Sequence, residues 1–152
     1  MKKLILLCLL LLSAAHAQAE PASSTALVRI QDAWVRPSHP GQAIGAAYMT
    51  LTSRQDARLV EARADVSDSV EIHSMTMENG VMKMRMLESV TLSAGKPYKL
   101  APGGFHLMLF DLKKPLRPGD SVNFVLTFKL ANQAVLKQNV KATVQDPAAS
   151  PH

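Results

Sequence analysis

A chain of 152 residues with a net charge of +5 has the length of one domain, and it is too short for an eightfold β/α-barrel enzyme. A single cysteine excludes an internal disulfide. Aromatic residues make up only 5% of the chain, so a core must rest on Leu, Val and Ile, while eight methionines stand out against one tryptophan.

Residues 1–19 start Met-Lys-Lys, run through apolar residues from Leu4 to Leu12, and end in small residues at A-x-A spacing, Ala15-His16-Ala17 and Ala17-Gln18-Ala19. This is the pattern of a secretory signal peptide, with cleavage after Ala17 or Ala19. The apolar run is shorter than the ~20 residues a spanning helix requires. The product is therefore expected in the periplasm and not as a membrane-spanning protein. Cys8 follows Leu6 and Leu7 rather than small residues, so it reads as part of the discarded leader and not as a lipidation site. Loss of Lys2 and Lys3 leaves 15 basic residues against 12 acidic ones, a net charge of +3. Export and a modest charge argue against a nucleic-acid partner.

Downstream, short β-prone runs alternate with turn signals. The runs are 26–35, 44–52, 57–62, 69–77, 81–87, 96–100, 105–112, 121–130 and 134–144. They are punctuated by Ser38-His-Pro-Gly41, Asn79-Gly80, Ala101-Pro-Gly-Gly104 and Arg117-Pro-Gly-Asp120. No segment sustains a 3.6-residue apolar period, and many short strands at such spacing predict an all-β sandwich or barrel over 26–144. Residues 145–152 read as a disordered tail. Trp34 and Tyr48 read as core anchors, and Lys113, Lys114 and Arg117 as a solvated turn.

Five methionines fall between residues 75 and 86. Asn79-Gly80 predicts a type I′ hairpin, because both central residues need positive φ. With those two as the loop, Met77 opposes Met82, Met75 opposes Met84 and His73 opposes Met86. Side chains alternate along a strand, so His73, Met75, Met77, Met82, Met84 and Met86 share one face. Packing is one explanation, since methionine fills irregular cores. The other face, however, carries Val70, Ile72 and Leu87 at its far end, which divides the apolar demand. A second cluster lies in Phe105-His-Leu-Met-Leu109. There Phe105, Leu107 and Leu109 form the core side, while His106 and Met108 point the other way.

Thioether is a soft, neutral ligand that selects Cu(I), and imidazole suits several metals. Zinc draws on Cys, His or carboxylate, and calcium or magnesium on oxygen, of which the methionine face offers only Glu71. A type 1 electron-transfer copper centre needs His₂Cys, and the exported chain has no cysteine. No nucleophile elbow, His-Glu-x-x-His or phosphate loop is present, so no enzyme is expected.

The sequence resembles the periplasmic PCu(A)C copper chaperone family, whose motif is His-x₁₀-Met-x₂₁-His-x-Met. His73, Met84, His106 and Met108 reproduce it without a departure in spacing. Asp32-Ala-Trp-Val-Arg36, Ala46-Ala-Tyr-Met-Thr-Leu51, Glu71-Ile-His-Ser-Met75 and Pro102-Gly-Gly-Phe-His-Leu-Met108 also resemble the family. The likeness covers roughly residues 28–144. It implies a cupredoxin-like Greek-key β-barrel with one Cu(I) on His73, Met84, His106 and Met108. It also implies delivery of copper for the CuA centre of cytochrome c oxidase, to subunit II or alongside a Sco-type thiol protein. Met75 is then the reserve ligand or shield, Met77, Met82 and Met86 form an apolar sulfur rim, and the protein is expected to be a monomer. Copper storage or resistance, or a secreted β-sandwich interaction module without metal, are the competing readings.

Overall fold

A computed structural model describes residues 26–146, so the leader with Cys8 and the tail from residue 147 onward lie outside the described residues. Ten strands follow one another: β1 (Val28–Val35), β2 (Ile44–Ser53), β3 (Ala57–Ala64), β4 (Ser69–Glu78), β5 (Val81–Leu87), β6 (Val90–Leu92), β7 (Pro97–Leu100), β8 (His106–Phe110), β9 (Ser121–Leu130) and β10 (Val135–Val144). The main path across the sheet is β5-β4-β8-β2-β1-β10-β9-β3-β6, and β7 continues the β8 edge along β2. Pairing of Ala62 on β3 with Val70 on β4 closes the sheet on itself. All pairings are antiparallel except β1 with β10. The result is a barrel, in which closure removes most free edges.

Period-two alternation explains the core. Along β9, Val122, Phe124, Leu126 and Phe128 are fully buried, and they meet Ala47, Met49 and Leu51 of β2 and Leu107 and Leu109 of β8. Each such side chain contributes about 1.5–3 kcal/mol through burial, which suffices without a disulfide in a domain of this size. The three-residue strand β6 was not among the expected runs, because Val90 and Leu92 leave too short a pattern to register; both are nonetheless buried.

Two side chains lie elsewhere than expected. The register of β1 against β2 shifts between Gln31 and Trp34, where Asp32 has φ 52°. This bulge adds one residue and reverses the alternation. Val28 and Ile30 face the core before it, and Ala33 and Val35 after it, so Trp34 is turned to the outer face. It stacks there on Tyr48, with ring centroids 4.4 Å apart. Phe105 is likewise no core residue. It precedes β8, is 37% exposed and packs against Tyr98 at 5.1 Å.

Candidate metal centre

The hairpin of β4 and β5 forms in the register its turn chemistry dictates. Asn79 and Gly80 have φ of 52° and 78°, and Met77 faces Met82, Met75 faces Met84 and His73 faces Met86. On the opposite face Glu78 binds Lys83 at 2.9 Å and Arg85 at 3.0 Å. The Lys83 hydrogen bond first, and then Arg85, hold the Glu78 carboxyl below the usual glutamate range. A charge clamp therefore fastens one side of the hairpin while the thioethers occupy the other.

The methionines do not pack into the core. Residues 81–86 of β5 are exposed, with Met84 at 44%, and Met77 near the end of β4 is 63% exposed. Neighbouring β8 pairs with β4 only from Ser69 to His73, so the hairpin tip overhangs the barrel. Exposed apolar residues in a row call for an explanation other than stability.

The β4–β8 pairing sets His106 directly opposite His73, and Met108 opposite Glu71. Leu107 and Leu109 point inward, so His106 and Met108 must point outward, beside Ala46 and Tyr48 of β2. Thioethers from Met75, Met84 and Met108 and the ring of His106 line one open cavity of about 370 Å³. Gln42, Ala46, Tyr48 and Arg36 complete its wall. His73 does not line this cavity, but its ring centroid is 5.8 Å from that of His106. Met77 and Met82 stand further out at the tip, and Met86 borders a separate depression with Val60 and Glu71.

Both histidines are buried, 9% and 6% exposed, within a row of rings. Tyr48 lies 6.4 Å from His106, and Phe110 lies 6.1 Å from His73. Tyr48 is buried as expected, at 4% exposure, and it is also a wall of the cavity. Burial raises its hydroxyl pKa, partly offset by Arg36, whose guanidinium sits 5.8 Å over the ring. Sequence reasoning missed this role because alternation alone does not say which face of β2 is covered by rings.

Each imidazole has one partnered nitrogen. His106 Nδ1 is 3.1 Å from the Gly104 carbonyl, which also accepts the Met75 amide at 3.2 Å. A carbonyl only accepts, so His106 carries its proton on Nδ1 and leaves the Nε2 lone pair free. His73 Nε2 is 2.8 Å from a Glu71 carboxylate oxygen. Its Nδ1 is buried and has no hydrogen-bond partner. A buried orphan of this kind is costly, and a missing ion is one of its few explanations. Among the described residues no three His, Cys, Asp or Glu side chains converge as a metal site. The donors that do converge are the thioethers of Met75, Met84 and Met108 with the two imidazoles, a set that fits a soft monovalent ion.

A family model described as "Putative lipoprotein LpqE-like" matches residues 28–140. The chain belongs to this family, that of the PCuAC domains. The "Putative lipoprotein Lxx21020" of Leifsonia xyli subsp. xyli is 31% identical over 102 residues, 66% of this chain and 61% of its own. The chain thus spans about three fifths of that relative's length. The solution structure of CuI-DR1885 from Deinococcus radiodurans is 32% identical and superposes with a TM-score of 0.61, covering 86% of both chains. The copper-bound PCuAC domain from PmoF2 shares the fold at 21% identity and a TM-score of 0.63, over 80% of this chain and 95% of that one. The PCuAC barrel is all-β and cupredoxin-like, as the family resemblance implied.

Proposed function

We propose that this protein is an exported, non-enzymatic Cu(I) chaperone, with copper as its cargo on His73, Met84, His106 and Met108. The observation that carries the reading is that β4, β5 and β8 bring Met75, Met84, Met108 and the His106 ring around one open cavity, with the His73 ring 5.8 Å from that of His106. Family membership and 32% identity to a protein solved with Cu(I) support it. Neutral soft donors hold Cu(I) without thiols, which an oxidising compartment would attack. The signal-like leader and the lipoprotein names among the relatives support export. No helix among the described residues is long and apolar enough to cross a membrane.

Exposure of the donors serves transfer. Met84 is nearly half exposed, so an acceptor's ligand can approach copper while the buried histidines still hold it. Met75, opposite Met84, is the reserve donor, and Met77, Met82 and Met86 are a sulfur rim around the approach. Their exposure disfavours the interaction module whose methionines merely pack. The acceptor in this proposal is the CuA centre of cytochrome c oxidase, reached at subunit II or through a Sco-type thiol protein.

Competition of the purified protein with a Cu(I) chelator tests the site. One-to-one uptake that collapses in His73→Ala and Met108→Ala is the expected result; uptake indifferent to both changes refutes it. Oxidase activity of a deletion strain at limiting copper tests the acceptor. Normal activity there, with lowered copper tolerance, assigns the protein to storage or resistance instead.

A further inference from the structure

We infer that Glu71 is a positioning residue that directs His73 to bind copper through Nδ1, while His106 binds through Nε2. The inference rests on the Cu(I) reading above and adds to it the ligating atoms and the group that fixes them.

A neutral imidazole has one N–H and one lone pair, and either tautomer can form. Metal-bound histidines generally donate the other N–H to a carboxylate or a backbone carbonyl, which fixes the ring and its tautomer. Both kinds of partner occur here. Glu71 and His73 are two apart on β4, so they project from the same face, and the carboxylate accepts from Nε2–H at 2.8 Å. That leaves the proton off Nδ1, the nitrogen that is buried and without a partner. For His106 the assignment reverses, since Gly104 carbonyl takes the Nδ1 proton.

The two anchors differ in kind. Gly104 O belongs to the Ala101–Phe105 turn, where Ala101 N–H binds the Phe105 carbonyl at 2.8 Å and Gly104 N–H binds Ala101 at 3.1 Å. This carbonyl also accepts the Met75 amide, so backbone structure holds His106. Glu71 is a side chain, 39% exposed, that reaches the site through its hydrogen bond to His73. The orientation of His73 can thus be changed by a substitution that leaves the barrel intact, and the orientation of His106 cannot.

Long-range ¹H–¹⁵N correlation spectra of the full exported chain, metal-free and loaded with Cu(I), test the assignment. Metal-free wild type is expected to show His73 as the Nε2–H tautomer with a slowly exchanging proton. Glu71→Gln should keep that proton, because its amide oxygen accepts the same bond, and Glu71→Ala should lose the protection. On loading, the resonances that move should be Nδ1 of His73 and Nε2 of His106. Cu(I) affinity should fall about 10–100-fold in Glu71→Ala and stay near wild type in Glu71→Gln. An Nδ1–H tautomer in metal-free His73, or wild-type affinity in Glu71→Ala, overturns the inference. Copper on Nε2 of His73 with Glu71 displaced also overturns it, but leaves the copper reading standing. A loaded spectrum in which neither ring moves sinks that reading and the inference together.

Discussion

Replacing Met84 by leucine separates a ligand from a filler. The two side chains have similar volume, and such exchanges cost little even in cores. Met84 is 44% exposed on a strand with no buried residue from Val81 to Met86. Its loss should change intrinsic stability by less than about 0.5 kcal/mol. Leucine, however, has no lone pair. Removing only an outer partner of a metal ligand weakens binding by about 10–100-fold, so removing a ligand should weaken it at least that much. Free Cu(I) at about 100 times Kd stabilises the fold by about 2.7 kcal/mol, and a variant weakened about 100-fold gains only about 0.4 kcal/mol at the same concentration. Thermal unfolding with and without buffered Cu(I) reads the difference as several degrees of lost protection, while the metal-free Tm stays put. Met77→Leu is the control, being 63% exposed on the same face but outside the cavity. It should keep the full Cu(I) protection. Equal protection in both variants, or equal loss in both, refutes the division between ligand and rim.

Leu107→Ala removes a fully buried side chain between His106 and Met108, and should cost about 2–5 kcal/mol, measured by urea denaturation of the metal-free protein. Gly80→Ala places a side chain at φ 78°, where an L-residue costs about 1–2 kcal/mol. Weakened cross-strand contacts between Met77 and Met82, read by NMR, should follow while the barrel resonances hold. Glu78 contributes to the hairpin through a lowered carboxyl pKa, owed first to Lys83. That contribution is full above the unfolded-state pKa and is lost as pH falls through the lower folded one. Hairpin contacts should therefore loosen on acidification in wild type and show less pH dependence in Glu78→Gln.

Several features were legible because their causes are local. Asn79-Gly80 fixes its own backbone signs, and a two-residue turn leaves no freedom in the pairing of Met77 with Met82 or Met75 with Met84. Alternation in β9 and β8 marks the inward Leu, Val and Phe residues. The bulge at Asp32 was not legible, since nothing in Asp-Ala-Trp signals an extra residue, and one inserted residue sends Trp34 to the opposite face. Phe105 misled for a related reason. It continues the alternation of Leu107 and Leu109, but it lies before the strand begins and so is not bound by its pleat.

By itself the sequence determined the kinds of donor available, the absence of cysteine from residues 26–146, and the hairpin that puts six donor side chains on one face. The spacing of His73, Met84, His106 and Met108 also tied it to its family. Only the tertiary structure decided that β8 lies against β4 with His106 opposite His73, and that β5 from Val81 to Met86 is left without a core face. Such a contact joins residues more than thirty positions apart. It is set by which strand ordering buries Leu107, Leu109 and Ile72 together, a property of the closed barrel and not of any segment. The same packing selects the free nitrogen on each ring, because the Glu71 carboxylate and the Gly104 carbonyl act through their positions in space.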